Sequence, residues 1–489
     1  MKNWGKKLLL FFYCLVIMLI IFALRWSFIR FEFSNFDEVL FQLTTSISTV
    51  ESSVLKSLVI DCFLPTIVGS VLLFLILYYL FSYLQKKDSI WKIKTKVFKT
   101  CLKGIMLCCF LFVVYYSLEK VTFWDYLSAT IHKSNYIEEH YVDPQSVKMI
   151  FPEKKRNLIY IYVESFESSF FSKELGGSAD ENWISPLTDL TKEYLNFSDT
   201  DKFGGAKSIP GTTWTSGALV AQTSGLPLKV TNPLSLRKVD FGMIPHAYTL
   251  TDLLHDQGYQ QMFMIGSSKI FGIRGDYFEN HGNVVVYDYD TAKEKGKIAD
   301  DYYEWWGFED EKLFTFAKEE ISNLSSSSEP FHFMLLTANT HTKDGYLEKD
   351  CEQLFSQEYA NSLYCSSDQI KQFVEWIQKQ PFYENTTIVI AGDHLSMQPG
   401  LLDKGSKRRV YDLYINSPVS TGNYINREFS TLDLFPTTVA SLGVRIEGDR
   451  LGLGTNLFSN QKTLMEEDGY DKFVHDTYLN SDYYWKKFY

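Results

Sequence analysis

The chain has 489 residues, a net charge of −11 and 16% aromatic residues, so it is long enough for a large globular domain together with a membrane anchor. An acidic chain does not offer the basic surface that DNA and RNA bind, and we exclude nucleic acid as a partner. Five of the seven cysteines lie in or next to apolar segments, and only Cys351 and Cys365 lie elsewhere. Outside the cytoplasm this pair suits a disulfide, and two free buried thiols are the alternative.

Three uncharged apolar segments are candidates for membrane-spanning helices: Leu8–Leu24, Cys62–Leu84 and Gly104–Leu118. The first two have the length needed to cross a bilayer, and the third needs Lys103 and Glu119 to extend their charged ends outward. A cleaved signal peptide is the alternative for residues 1–24, but no small-x-small cleavage site follows Leu24. We therefore predict three spans.

The lysines around these segments predict their orientation. Lys2, Lys6 and Lys7 precede the first segment, and residues 85–103 contain seven lysines against one aspartate. Positively charged loops stay in the cytoplasm, so everything after Leu118 is expected on the outer side. We predict a multi-pass protein of the bacterial cytoplasmic membrane with a periplasmic or extracellular domain.

Strand-like and helical patterns alternate beyond residue 156. Strands are predicted at 157–163, 260–265, 284–287, 331–336, 386–390 and 411–415, with helices such as 248–257 and 367–380 between them. This alternation predicts an α/β domain with a mainly parallel sheet flanked by helices. We divide the chain into a transmembrane anchor (1–120), a connector (121–155) and an extracytoplasmic domain (156–489).

Polar residues follow three of these strands, at the edge where parallel sheets bind ligands. Glu164 follows the first strand, His341 follows 331–336, and Asp393 and His394 follow 386–390. Two carboxylates, an imidazole and a hydroxyl suit a divalent metal such as Mn²⁺, Mg²⁺ or Zn²⁺. Each signal is weak alone, since a Glu after a strand is usually a helix-start residue, but together they are moderately specific.

The hydroxyl is expected in the stretch 208–228. Pro210 and Gly211 end the preceding segment, and a helix is predicted from Thr212 to about Ser224, closed by Gly225. A hydroxyl at a helix start lies beside unpaired N–H groups and the positive end of the helix dipole, which stabilise an oxyanion or a phosphate. The alternative is that Thr212, Thr213 and Thr215 only cap the helix.

Several segments together resemble the sulfatase/alkaline-phosphatase superfamily, specifically its membrane-anchored phosphoglycerol transferases; lipoteichoic acid synthases are more distant. The matching segments are 157–167, 211–215 with 225–228, 271–274 with 281–282, 306–310, 339–342, 392–395 and 448–457. The resemblance covers about residues 135–460 and implies a sulfatase/alkaline-phosphatase-like fold. The Cys-x-Pro-x-Arg pattern of sulfatases proper does not occur, which disfavours sulfate-ester hydrolysis. Such transferases also commonly have four or five spans, where we count three.

The resemblance implies a role for each candidate residue. Its metal ligands would be Glu164, Thr212, Asp393 and His394, with manganese the expected ion and magnesium or zinc the alternatives. Thr212 would be the nucleophile, because the lipoteichoic acid synthases place theirs 13 residues before Gly-Leu-Pro, which here begins at Gly225; Thr215 is the second choice.

The resemblance also implies substrate contacts. His341 would bind the phosphate and protonate the departing diacylglycerol, Arg274 would bind the phosphate, and Trp306 would flank the glycerol. The alternatives without a substrate contact are a surface ion pair for Arg274 and core packing for Trp306. His281 is expected to be structural rather than a ligand.

The implied activity moves glycerol phosphate from phosphatidylglycerol to an extracytoplasmic glycan through a covalent glycerophosphoryl-threonine. Its partners would be the donor lipid, a glycan acceptor and the membrane. One alternative is a phosphoethanolamine transferase acting on lipid A or a glycan. Others are a phosphatase and a non-catalytic glycan-binding membrane protein.

Overall fold

The computed structural model describes residues 4–30, 35–44, 52–87, 92–230, 243–398 and 400–489. They form two compact units, the first of residues 1–36 and 50–127 and the second of residues 37–49 and 128–489. Most of the expected connector, residues 128–155, thus belongs to the second unit, and so does part of the chain between the first two apolar segments.

Helices form the first unit: Trp4–Arg30, Ser52–Ser57, a π-helical stretch Leu58–Phe63, Leu64–Lys87, Lys92–Lys120 and the first part of Phe123–Ile131. The residues of that last helix from Ser128 onward belong to the second unit. Trp4–Ser27 and Leu55–Tyr83 are long and apolar enough to cross a membrane. The third apolar segment meets that test only as Lys103–Lys120 together with Phe123–Ile131, which are bent by 70° relative to one another. The described chain therefore has two candidate spans, or three if the bent pair is one span.

Seven strands form the sheet of the second unit: β1 (Asn157–Val163), β2 (Gly205–Ala206), β3 (Gln260–Ile265), β4 (Val285–Tyr287), β5 (Phe331–Leu336), β6 (Thr386–Gly392) and β7 (Val410–Ile415). Their order across the sheet is β2-β7-β6-β1-β5-β3-β4. The five strands from β6 to β4 are parallel, whereas β7 runs antiparallel to both of its neighbours, β6 and β2. The predicted mainly parallel sheet is confirmed. Strand β2 escaped prediction because two residues carry no periodicity.

The helices of the second unit are Phe36–Thr44, which begins one residue before the unit does, Tyr136–His140, Thr188–Glu193, Thr215–Ser224, Leu250–Asp256, Arg274–Asn280, Tyr289–Glu294, Asp310–Leu324, Glu358–Gln378, Leu434–Ser441, Leu464–Asp468, Tyr470–Tyr478 and Asp482–Phe488. Two small antiparallel pairs, Met149–Ile150 with Arg445–Ile446 and Arg450–Leu451 with Gly454–Thr455, complete it. Every residue of β1 is buried. This is expected of a parallel strand that is covered on both faces.

One predicted helix is longer than its periodic pattern, and its extension carries a disulfide. The helix predicted over 367–380 begins at Glu358, because Tyr359 and Leu363 extend its buried face by more than two turns. Cys365 lies in that extension and is bonded to Cys351, with the two Cα atoms 5.5 Å apart. The predicted disulfide is present, and it joins the loop after β5 to this helix.

Candidate functional site

The register of the central strands brings Glu164 and Asp393 to the same point. Val163 of β1 lies opposite Gly392 of β6 in a parallel pair, so the next residue of each strand emerges at the same edge. Donor atoms of Glu164, Asp393 and His394 all lie within 4.8 Å of one another, and all three residues are buried. We refer to these three residues as the acidic cluster.

Ser165 orients both carboxylates of the cluster. Its hydroxyl donates to Glu164 Oε1 at 2.6 Å, and its backbone N–H donates to Asp393 Oδ1 at 2.7 Å. Ser165 has a φ of 52°, a conformation that costs a non-glycine residue about 1–3 kcal/mol. Sequence reasoning missed this residue, and its only signal is its place directly after Glu164.

His394 directs one ring nitrogen at the carboxylates. Its Nδ1 lies 2.8 Å from the Leu395 carbonyl oxygen, an acceptor, so Nδ1 carries the hydrogen. Its Nε2 then faces the carboxylates, 3.4 Å from Asp393 Oδ2 and 3.6 Å from Glu164 Oε1, and in the neutral ring this nitrogen offers a lone pair to a cation. A backbone carbonyl that fixes the tautomer in this way is typical of a metal-binding histidine.

The cluster has the properties of a cation site. Asp393 Oδ2 is buried and has no hydrogen-bond partner among the described residues. Burial raises the pKa of Asp393, and the Glu164 charge raises it further. Burial also acts to raise the pKa of Glu164, but the nearby His341 and His394 outweigh it and hold that pKa below its usual value. A divalent cation would relieve the repulsion and satisfy the free oxygen, so these residues fit the predicted metal; their oxygen and nitrogen donors suit manganese, magnesium and zinc alike.

Thr215, and not Thr212, places its hydroxyl at the acidic cluster. Thr215 Oγ1 lies 3.4 Å from Glu164 Oε2 and 3.5 Å from His394 Nε2. Thr212 is fully buried, and its hydroxyl donates to the Ile209 carbonyl at 2.9 Å and accepts from the Ile209 N–H at 3.0 Å. The spacing predicted Thr212 as the nucleophile, but the structure does not place its hydroxyl at the cluster. That hydroxyl instead closes a turn that precedes the helix.

The position at which the helix starts explains why Thr215, and not Thr212, lies at the acidic cluster. The helix was predicted from Thr212 but runs from Thr215 to Ser224, so Thr215 is the residue at the positive end of the helix dipole. Its predicted end is confirmed, because Gly225 adopts the left-handed conformation with a φ of 66°. Gln222 Nε2 attaches the helix to the end of β6 by donating to the Gly392 carbonyl at 2.9 Å.

The three residues expected to contact substrate line one pocket together with Glu164 and Thr215: His341, Arg274 and Trp306. Trp306 lies against the His341 ring, with 4.6 Å between the ring centroids. His341 Nδ1 is 2.6 Å from the Thr342 carbonyl oxygen, to which it donates its hydrogen. Nε2 is therefore the ring nitrogen that can exchange a proton with a substrate. Burial lowers the pKa of His341, so the imidazole is neutral near pH 7 when no substrate is present.

Arg274 is buried, which rules out the surface ion pair. Its Nε donates to the Phe271 carbonyl at 2.9 Å and its Nη2 to Ser267 Oγ at 2.8 Å. Burial lowers its pKa to about 10, so it is still a cation at neutral pH. His281 lies elsewhere, buried and 2.9 Å from an Asp252 carboxylate oxygen, as a structural histidine would.

Asp310 holds the loop that carries His341. Its buried carboxylate accepts the backbone N–H groups of Ala338 at 2.8 Å and Asn339 at 3.0 Å. Asn339 Nδ2 in turn donates to Glu348 at 2.6 Å, farther along the same loop. Asp310 belonged to a matching segment, but the sequence indicated no role for it.

We expect Asp310 to make stability depend on pH. Burial raises its pKa to about 7, whereas the unfolded carboxyl keeps a pKa of 3.8, so between these values the folded protein binds the additional proton. The free energy of unfolding is therefore highest with respect to this group below pH 4. It falls as the pH rises toward 7, with a slope of at most about 1.4 kcal/mol per pH unit. Melting temperatures of the full-length protein in detergent from pH 4 to 8 measure this loss, and Asp310→Asn should flatten it; an unchanged profile contradicts the assignment.

Comparisons with known proteins agree with this geometry. The sulfatase family model matches residues 156–444, more than half of the chain. Phosphoglycerol transferase I of Escherichia coli is 29% identical over 322 residues, and its Xanthomonas euvesicatoria counterpart is 30% identical over 321 residues. Each alignment covers 63% of this chain but only 40% and 43% of the relative, so the match spans about two fifths of their length.

Two solved structures share the fold. The lipoteichoic acid synthase LtaP of Listeria monocytogenes has a TM-score of 0.50 at 14% identity, covering 67% of this chain and 82% of that one. The lipooligosaccharide phosphoethanolamine transferase EptA of Neisseria meningitidis has a TM-score of 0.50 at 13% identity, covering 88% and 83%. Together with the buried acidic cluster at the carboxyl ends of β1 and β6, the family match leads to one conclusion: the chain belongs to the sulfatase family.

Proposed function

We propose that this protein is a phosphotransferase that uses Thr215 as its nucleophile, and specifically that it moves glycerol phosphate from phosphatidylglycerol to a glycan. The observation that carries this proposal is the Thr215 hydroxyl, at a helix N-terminus and within 3.5 Å of both Glu164 and His394. A hydroxyl that lies beside a metal-ligand set and a basic pocket is suited to attack phosphorus. The names of the relatives supply the transferred group, phosphoglycerol.

In the first step, Thr215 Oγ1 passes its proton to Glu164 Oε2, which lies 3.4 Å away, and attacks the phosphorus of the lipid. A bond between that oxygen and phosphorus forms while the bond from phosphorus to the diacylglycerol oxygen breaks, and His341 Nε2 gives its proton to the departing oxygen. Although His341 is neutral in the empty pocket, the negative phosphodiester favours its protonated form.

In the second step, an acceptor hydroxyl gives its proton to His341 and attacks the same phosphorus. The Thr215 oxygen then departs and takes its proton back from Glu164, which restores the enzyme. Two displacements at one phosphorus suit a single histidine that acts first as acid and then as base.

The remaining pocket residues bind and orient. A divalent ion held by Glu164, Asp393, His394 and Thr215 would lower the pKa of the attacking hydroxyl and neutralise charge on the phosphate. Arg274 offers a second positive charge to the phosphate oxygens. Trp306 provides an apolar wall beside His341 that excludes water.

The lysine pattern supports a location on the outer face of the cytoplasmic membrane. Lys6 and Lys7 lie at the start of the first candidate span, and a lysine-rich segment, residues 85–103, follows the second. In this orientation the second unit is outside, where it meets the lipid head group and envelope glycans.

The test is lipid analysis of full-length protein in vesicles of defined composition. We expect diacylglycerol from labelled phosphatidylglycerol and not from phosphatidylethanolamine, and transfer of the label to glycans in whole cells. Release from phosphatidylethanolamine alone would instead indicate a phosphoethanolamine transferase. Free glycerophosphate without an acceptor would indicate a phosphatase, and no turnover of either lipid would favour a non-catalytic protein.

A further inference from the structure

The helix Phe36–Thr44, which we call the interspan helix, lies in the chain between the first two candidate spans. Its residues from Asp37 onward nevertheless belong to the second unit by their contacts. Asp37, Glu38, Leu40 and Phe41 are buried there. Two adjacent acidic side chains are not buried without specific partners, so this packing requires an explanation.

Two contacts from the interspan helix reach the residues directly before Thr215. Thr213 Oγ1 donates a hydrogen bond to Glu38 Oε1. The ring of Phe41 packs on the ring of Trp214, with 5.6 Å between centroids. The interspan helix therefore contacts both residues that connect the Thr212 turn to the Thr215 helix.

Residues 212–214, which we call the Thr215 loop, lead into the Thr215 helix without a side-chain cap. Trp214 is extended, with a φ of −136°, and in the described structure its side chain makes no capping hydrogen bond to the helix. A helix start without a side-chain cap lacks a common local restraint. Since a displacement of about 1 Å at a reacting atom can cost on the order of 10²-fold in rate, the orientation of this short loop matters for Thr215.

Asp37 attaches the same helix to a different part of the unit. Its carboxylate accepts a hydrogen bond from Tyr478 Oη at 2.6 Å. The buried Lys229 ammonium donates to the carbonyls of Thr477, Tyr478 and Leu479 and supports this second attachment. Asp37 thus holds the helix without touching the Thr215 loop, which makes it a matched control for its neighbour Glu38.

We propose that the interspan helix positions the nucleophile, because Glu38 and Phe41 hold Thr213 and Trp214 in the orientation that directs the Thr215 hydroxyl at the acidic cluster. Glu38 and Phe41 are positioning residues, since they act through Thr213 and Trp214. The chain that joins the first two candidate spans would then form part of the active enzyme. The inference has a structural half, that these contacts order the loop, and a kinetic half, that this order speeds turnover. The kinetic half rests on the proposed function, and the structural half does not.

The structural half is tested by hydrogen exchange of the full-length protein in detergent, without substrate. Glu38→Ala and Phe41→Ala should speed exchange of peptides covering residues 211–216 by about 3-fold or more, and Asp37→Asn should leave these peptides unchanged. Thr213→Val removes the same hydrogen bond from the other side and should speed exchange of the same peptides. It therefore tests the contact independently if Glu38→Ala folds poorly. Unchanged exchange in all of these variants overturns the proposal.

The kinetic half separates positioning from general destabilisation. Glu38→Ala should lower kcat for diacylglycerol release about 10-fold with KM changed less than about 2-fold. Glu38→Gln keeps an acceptor for Thr213 and should recover most of that rate, and Thr213→Val should cost less in the Glu38→Ala protein than in the wild type. A lowered melting temperature with unchanged kcat would overturn the proposal. If the wild-type protein releases no diacylglycerol, the proposed function fails, while the exchange data still decide whether the loop is positioned in this way.

Discussion

Thr215→Ala should lower diacylglycerol release by at least about 10³-fold, because the reaction loses its nucleophile. Thr215→Ser keeps a hydroxyl and should retain measurable turnover. Mass spectrometry of the wild-type protein quenched during turnover should find the glycerophosphoryl group on a peptide containing Thr215, and the Thr215→Ala protein should carry none.

Thr212→Val is the control that separates the two threonines. The Thr212 hydroxyl bonds only to its own turn in the described structure, so the variant should lose about 1 kcal/mol of stability and keep its activity within about 3-fold. If Thr212→Val abolishes turnover and Thr215→Ala does not, the geometric assignment is wrong and the spacing argument for Thr212 is right.

Asp393→Asn should remove most of the bound metal and lower activity by at least about 10³-fold, since it takes one negative charge from the proposed ligand set. The same change should raise the melting temperature of the metal-free protein, because it removes the repulsion between Asp393 and Glu164. The backbone N–H groups of Ser165 and His394 can still donate to the amide oxygen, so the local fold should survive. Metal content by elemental analysis and melting curves with and without added Mn²⁺ measure both effects.

Asp412→Asn is a matched control for this experiment. Asp412 is also fully buried, accepts one backbone N–H from Phe197 at 2.9 Å, and has a second oxygen without a hydrogen-bond partner among the described residues. It lies within β7 and outside the acidic cluster, so its replacement should leave metal content unchanged. Equal metal loss in both variants, or none in Asp393→Asn, would contradict the proposed site.

The strands were predictable because their signal is local. Asn157–Val163 and Phe331–Leu336 were predicted with the bounds that the structure has, since each is a short apolar run that ends at a polar residue. Two-sided burial of a parallel sheet requires such runs. The residue after each run must lie at the ligand-binding edge, and for that reason Glu164, Asp393 and His394 could be named before any coordinates.

The limits of the prediction appear where the signal is not local. The third span depends on a bend between Lys103–Lys120 and Phe123–Ile131, which composition does not encode. Ser165 and Asp310 act through single hydrogen bonds that carry no periodic pattern.

The amino-acid order alone was sufficient to specify the class of fold, the sheet edge that carries the cluster and the chemical types gathered there, because hydrophobic periodicity decides which residues end each buried strand. The choice between two threonines three positions apart required the folded chain. The Thr212 hydroxyl is hydrogen-bonded to the Ile209 carbonyl. The helix starts at Thr215, so the positive end of the helix dipole faces the carboxylates. The contact of Glu38 with Thr213 joins residues 175 positions apart, and only tertiary packing brings such a pair together.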